Sequence, residues 1–444
     1  MTLTRVSAMP PSPAQNPPLH QLRRSLGLFE VTMSGVGLIL GAGIYVLIGP
    51  ASGFAGNMLW LAFLLSAVIA LFTGLSYAEL SSMFPKAGAE YDYVRHAFSL
   101  PGLAFVIGWL IFLSGVLAAA TVALGFSGYF FVLTGVPPLI SASVLIILLA
   151  VILAFGVKET AWVIIISTVI EILGLLIVIW IGLPHFGAVN YFELPHGVPG
   201  LFAASALIFL AYQGFESMVK FSEETKNPET TIPKALLLSL AISVILYVLV
   251  ALAVISVMGW QTLSVSKAPF SDLVTGILGP RAAVGIAVIA LFATANTSLM
   301  SMYASSRILY GMSGTSPHAA RLGWVHPRTR TPWAAILICG LLSITFIFSG
   351  DIGFIAGVTN FTLFVTFIVI NGAVIALRFN SPEIPRPFRI PFSLGNLPII
   401  PLAGLLFCIL LLANQDRAVL ALGAGLTIGG VVIYTFTRSR PRAQ

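Results

Sequence analysis

Residues 28–50 read LFEVTMSGVGLILGAGIYVLIGP, and residues 200–221 read GLFAASALIFLAYQGFESMVKF. Each stretch has the length and apolar character needed to cross a bilayer, about 20 residues for ~30 Å of hydrocarbon. Each is also interrupted near its centre. Gly35, Gly37, Gly41 and Gly43 crowd the first, and Tyr212, Gln213, Gly214, Phe215 and Glu216 interrupt the second with an amide and an acid beside a glycine. Glycine is a poor helix former, and a helix break at membrane depth strips N–H and C=O groups of partners that lipid cannot replace. Such breaks survive only against protein or a wet cavity. Glycines in spans also serve close helix packing, but the acid and amide beside Gly214 are not needed for that.

Working outward, apolar stretches fill most of the 444 residues. Twelve spans are expected, over 28–50, 58–84, 102–132, 139–156, 161–183, 200–221, 235–258, 281–311, 333–349, 352–377, 397–413 and 418–437. Only 8% of residues are charged and 58% are hydrophobic, with a mean hydropathy of +1.01. A soluble domain of this size would expose far too much apolar surface with that composition. The expected fold is therefore an all-α integral membrane protein with a Pro-rich N-terminal tail (1–27), one membrane domain (28–437) and a short C-terminal tail (438–444). The longest connections, near 79–101, 222–234, 259–280, 312–332 and 378–396, are too short to fold independently.

A net charge of +7 would suit a nucleic-acid partner if it formed one patch, but the basic residues sort by membrane side instead. Counted from an inside N-terminus, all but Lys267, Arg281 and Arg417 fall in the tails, the even-numbered connections or the span ends that adjoin them (Lys220 and Arg307). That asymmetry predicts cytoplasmic N- and C-termini, and the lipid bilayer, with no nucleic acid, is the expected surrounding. No signal-peptide core precedes the first span. Cys339 and Cys408 lie within apolar spans without CxxC or Cys/His company and read as packing residues. Gly125–Gly128 (GFSG) matches a serine-protease pattern, but the histidines at 20, 96, 185, 196, 318 and 326 fall in tails, loops or span ends, leaving the serine without a base. No HExxH occurs. An enzyme is not expected.

Spans 1–5 and 6–10 overlay with their broken helices in register, Gly41 on Gly214. Five is odd, so the second set enters the membrane from the opposite side, an inverted repeat (28–183 and 200–377) followed by two extra helices (397–437). Two adjacent breaks offer amides at the start of one half-helix and carbonyls at the end of another, matching the two charges of an α-amino acid. The backbone of Gly41, Ala42, Gly43 and Ile44 is the candidate carboxylate cradle. Carbonyls near Phe209, Leu210 and Ala211 are the candidate ammonium cradle.

Glu171 stands ten residues into its span, about 15 Å deep at 1.5 Å per residue. An ionised side chain there costs at least ~2.5–3.5 kcal/mol, which marks it for function by default. It reads as a carrier of a coupling H+ or a ligand for Na+, or alternatively as a neutral acid bonded to a neighbouring helix. Glu216 reads as a brace for the second break. Asn296, with Thr294 and Thr297, either faces the cavity or joins helices, and Glu30 reads as solvated.

Several segments together carry a family likeness: GLILGAGIYVLIG (37–49), YAELSSMFPKAGAEYDYVRHAF (77–98), FLAYQGFESMVKFSEETKNPETTIPKA (209–235), SSRILYGM (305–312) followed by Thr331 and Pro332, and RPFRIPF (386–392). The chain resembles the amino acid, polyamine and organocation (APC) superfamily of permeases over nearly its full length. The resemblance implies a LeuT-like 5+5 fold with two C-terminal helices and alternating access by a secondary active transporter. It places the substrate carboxylate at Gly41, Ala42 and Gly43 and the amine at the carbonyls of Leu210, Ala211 and Gln213, beside Gly214. It implies a small-molecule amino acid substrate, or alternatively a polyamine or organic amine, and no cofactor. The chain departs from the family in two places. Leu210, with Phe209 before it, stands where relatives often carry an aromatic gate. Glu171 stands where many carry a lysine, eleven residues before the glycine (Gly182) that ends the helix.

Overall fold

The computed structural model describes residues 26–85, 89–155, 160–223, 225–313, 326, 329 and 331–437. Residues 1–25 of the expected 1–27 tail, the expected tail at 438–444 and most of the 312–332 connection lie outside that set. The first apolar stretch forms α1 (Leu28–Ile39) and α2 (Gly43–Ala55), followed by α3 (Leu59–Met83), α4 (Ala89–Phe98), α5 (Pro101–Thr134), α6 (Pro138–Phe155) and α7 (Thr160–Gly182). Then come α8 (Gly197–Ile208), α9 (Pro228–Val265), α10 (Pro269–Leu278), α11 (Pro280–Ser313), α12 (Trp333–Ile347), α13 (Ile352–Asn380), α14 (Ile399–Ala413) and α15 (Arg417–Thr437).

Local chemistry explains several boundaries. Proline opens α5, α9 and α10 in the first turn, where its missing N–H costs nothing. Gly135, at φ +73°, closes α5, and the Asp351 carboxylate caps the Phe354 amide of α13 at 3.0 Å. Two expected connections turn out to be partly helical: α4 lies in 79–101, and α9 runs past Gly259 (φ +68°) before α10 fills much of 259–280. Amphipathic Ala89–Phe98, bearing Glu90, Asp92, Arg95 and His96, has too many charges to be read as a span, which is why apolar length alone passed over it.

Eight helical stretches among the described residues are long and apolar enough to cross a membrane, and shorter apolar helices, including α1, α12 and α14, accompany them. The bundle centres on α5, which packs on α11 and α13, while α3 packs on α9 and α13 also packs on α14. Its outer surface keeps large apolar side chains exposed, among them Ile147, Leu148 and Val151 on α6, Leu173, Leu176 and Trp180 on α7, and Val431 and Val432 on α15. Exposed apolar surface on this scale marks contact with lipid or protein.

Where α13 ends, the chain folds back on α3. Arg378 donates from Nε and Nη2 to the two carboxylate oxygens of buried Glu79, at 2.7 and 2.6 Å. The Ile390 amide adds a third bond to Glu79 at 2.9 Å, and Arg386 Nε stands 3.4 Å from it. The RPFRIPF segment thus supplies one arginine and one amide to an acid in the YAEL segment.

Candidate functional site

The first break is short. The last α1-type bond runs from the Leu40 amide to Val36 O, and the next helix starts with the Val46 amide donating to Ala42 O. The amides of Gly43, Ile44 and Tyr45 therefore precede the first intrahelical bond of α2 and have no acceptor within it. The Ala42 amide donates to Thr297 Oγ1 on α11 at 2.9 Å, and Thr297 in turn donates to Ala293 O at 3.0 Å. A Cβ at Gly41 would fall 2.7 Å from Thr297 Oγ1, so the bare backbone there is what lets α11 approach.

The second break is longer than the sequence suggested. α8 stops at Ile208, a 3-10 turn covers Phe209–Tyr212, and Gln213 and Gly214 turn the chain into a second 3-10 stretch, Phe215–Glu223. The expected α-helix through 221 is thus wound as 3-10 in its second half. Gly214 has φ +124°, and a Cβ on it would lie 2.4 Å from Leu38 O. Its amide donates to the Glu216 carboxylate at 2.8 Å, so Glu216 ties off the turn it follows.

The two breaks touch. A Cβ at Gly43 would come 2.5 Å from Ala211 Cα. Tyr247 on α9 joins them from behind, its hydroxyl 2.6 Å from Ile39 O and 2.9 Å from Ala211 O. Asn360 on α13 donates to Ala206 O and to Leu207 O, at 2.5 and 3.1 Å, and Ser66 donates to Ser205 O at 2.6 Å, so side chains from α13 and α3 reach the last carbonyls of α8, two of which also accept the Phe209 amide. Phe209 and Leu210 are buried. The Phe209 ring packs on Phe364 and Phe367 of α13, at 4.9 and 5.9 Å, so Phe209 can offer the break its backbone but turns its ring toward α13. Leu210 O accepts the Gln213 amide at 3.2 Å.

Glu171 on α7 is 1% exposed, and neither carboxyl oxygen has a hydrogen-bond partner. The Asn296 side chain is the polar group nearest to it. Tyr45, from the first turn of α2, donates to the backbone carbonyl of Glu171 at 3.1 Å. Tyr129 on α5 donates to Tyr45 O at 3.0 Å, and the Tyr45 ring meets Phe270 of α10 edge-on at 4.8 Å. The helix carrying the unpaired acid is thereby joined to the first break and to α10. Thr294 turns inward to Ala290 O at 2.6 Å, Glu30 is exposed and accepts the Gly27 amide at 2.9 Å, and both cysteines are buried and free.

The residues singled out by sequence thus gather at two abutting breaks, with Glu171 and Asn296 one helix away. Sequence reading missed Tyr247, Thr297 as a partner of Ala42, and Asn360. The available signal was a hydroxyl or amide standing alone in an apolar run.

Residues 26–437 match the family described as amino acid permease. The chain is 32% identical over 446 residues to the branched-chain amino acid permease BcaP of Bacillus subtilis (strain 168), covering 95% of this chain and 94% of that protein. It is 29% identical over 448 residues to the methylthioribose transporter of the same organism, covering 94% of each. It is 27% identical over 396 residues to the vacuolar cationic amino acid transporter 4 of Arabidopsis thaliana, covering 82% of this chain and 65% of that protein. With nearly the whole chain matched and its helix breaks pressed together, this protein belongs to the amino acid permease family.

Proposed function

We propose that the chain is a secondary active transporter that moves amino acids across the cell membrane by alternating access, through twelve spans arranged as a 5+5 inverted repeat plus two helices, with both termini cytoplasmic. The observation that carries this reading is the contact of Gly43 with Ala211, which sets free amides of one half-helix beside freed carbonyls of another. The substrate carboxylate sits on the Gly43 and Ile44 amides at the positive end of α2, next to Gly41 and to an Ala42 amide that Thr297 already holds. The ammonium group takes carbonyls at Phe209, Leu210, Ala211 and Gln213. Leu210 O and Ala211 O each accept one bond within the protein, and a carbonyl oxygen has two lone pairs.

The side chains around the breaks, such as Ile44 and Leu210, are apolar, and the relative BcaP is named for branched-chain amino acids. Leucine, isoleucine and valine are therefore the first substrates to test. Uptake of radiolabelled leucine into proteoliposomes, with competition by the remaining amino acids, supports the reading if saturable counterflow appears. Absence of saturable flux for every amino acid would refute it.

Glu171 serves coupling in this reading. An unpaired carboxyl at mid-bilayer either takes up a proton or helps to hold Na+, and the substrate step that moves α2 reaches it through Tyr45. A second reading, transport of a polyamine or other organic amine, draws on the same unpaired carboxyl as a counter-charge. Putrescine that competes with leucine for uptake would favour it.

A further inference from the structure

Among the described residues, the half-buried Arg307 stands without a carboxylate beside it, whereas Arg378 and Arg386 both face Glu79. Arg378 spends its donors on Glu79, Ser393 and Ile390 O, and Arg386 donates to Pro382 O, Ile384 O, Leu377 O and Ser381 O. Arg307, near the end of α11, has a buried Nη1 with no hydrogen-bond partner. Ion pairs among the described residues are confined to Glu79 with Arg378 and Arg386. The Arg307 guanidinium is nevertheless held in place, its central carbon 4.5 Å from the centroid of the Tyr303 ring, a cation–π contact that fixes the plane without neutralising the charge.

The position is as informative as the missing partner. Asn296, Met300, Tyr303, Arg307 and Tyr310 recur at alternating intervals of four and three, so they share one face of α11. That face begins beside Glu171 and the Thr297–Ala42 bond and runs toward the membrane side on which α1 starts. Arg307 lies ten residues beyond Thr297, about 15 Å at the α-helical rise. Below the Thr297 contact, α1 packs on α9, on α7 and on the 215–223 segment rather than on α11. Ser34, Gly37 and Leu38 of α1 and Asn296, Met300 and Arg307 of α11 are half-buried, and Tyr303 and Tyr310 are exposed. These residues lie along the stretch of α1 and α11 between that membrane side and the two breaks.

We propose that Arg307, clamped on Tyr303, is a staging site that takes the carboxylate of the transported amino acid on the membrane side where α1 begins, before it reaches the breaks and after it leaves them. The guanidinium fork matches a carboxylate in two parallel bonds, and an unpaired cation along a partly desolvated path is a strong attractor for a small anion. The assignment rests on the permease reading above and adds a second station, on one side only.

The test reconstitutes the full chain in phosphatidylcholine vesicles and measures the half-saturation concentration for radiolabelled leucine separately from each side. Arg307→Gln is expected to raise it roughly tenfold on the side where α1 begins and to leave the opposite side within about twofold, which also shows that the variant folds. Arg307→Lys, which keeps a point charge, is expected to recover part of the loss. An equal shift on both sides, or none, would overturn the proposal. A sided defect seen only when phosphatidylglycerol is added would assign Arg307 to a lipid phosphate and overturn it as well. Wild-type flux is the separate readout of the permease reading. With no amino acid moved both ideas fall, whereas with leucine moved and no sided shift only the staging site falls.

Discussion

Gly43 and Ala211 stand so close that a single added methyl group would leave 2.5 Å between Cβ and Cα. That contact brings the start of α2 against the turn after α8, and it has no slack, because the atoms opposite are the backbone of Ala211 and its fixed Cβ. Gly43→Val is expected to cut substrate uptake by at least about tenfold while the protein still reaches the membrane, since overpacking of this kind costs about 1–3 kcal/mol and displaces one break from the other. Gly43→Ala should fall between wild type and valine. Uptake per unit of inserted protein, compared with detergent-solubilised elution profiles, checks it.

Tyr247 is the clasp behind that contact. Its hydroxyl serves Ile39 O and Ala211 O, one carbonyl from each broken helix. Tyr247→Phe keeps the ring, which packs on Phe63 and Tyr212, and removes only the donor. Leaving buried carbonyls without it costs about 1–3 kcal/mol. The expected result is a lowered melting temperature together with slower transport. An unchanged melting temperature would mean that water replaces the hydroxyl.

The breaks were legible because their cause is local: four glycines within nine residues, and a glycine flanked by an amide and an acid, announce themselves without knowledge of the fold. What joins them was not. Ala42 and Thr297 are 255 residues apart in sequence, Ile39 and Tyr247 are 208 apart, and spacing within a span does not fix which way a lone hydroxyl points. The 3-10 winding of Phe215–Glu223 was hidden for a similar reason. Apolar periodicity over 215–221 fits an α-turn equally well, and what departs from it is the bond from the Gly214 amide to Glu216, which turns the chain before a helix can resume. Glu171 was legible as a buried acid, but its lack of a partner depended on how α7 and α11 face each other.

That lack of a partner leads to the clearest functional test. Glutamine in place of Glu171 keeps shape and removes the exchangeable charge. If the carboxyl carries the coupling proton, wild-type uptake rises as the external solution is acidified and Glu171→Gln uptake becomes flat over the same range, with exchange of substrate for substrate retained. If it holds a cation instead, the variant loses sodium dependence and keeps its pH profile. Retention of both dependences would remove Glu171 from coupling.

Glu79 and Arg378 give a prediction independent of transport. They are 1% and 3% exposed, and their bidentate bond joins α3 to the end of α13, with the Ile390 amide completing the carboxylate's coordination. Removing one partner leaves the other charge buried, at a cost of about 3–5 kcal/mol. Glu79→Gln and Arg378→Met should each therefore lower the melting temperature strongly. The double variant Glu79→Leu with Arg378→Met should be less damaged than the sum of its parts, because no orphan charge remains. Arg386 complicates the cycle in a useful way. Its Nε stands 3.4 Å from Glu79, so after Arg378→Met it can serve as a substitute partner, and the loss from that variant should be smaller than the loss from Glu79→Gln, which strips both arginines at once. The reverse order would place the stabilisation in the contacts of Arg378 with Ser393 and Ile390 rather than in the ion pair.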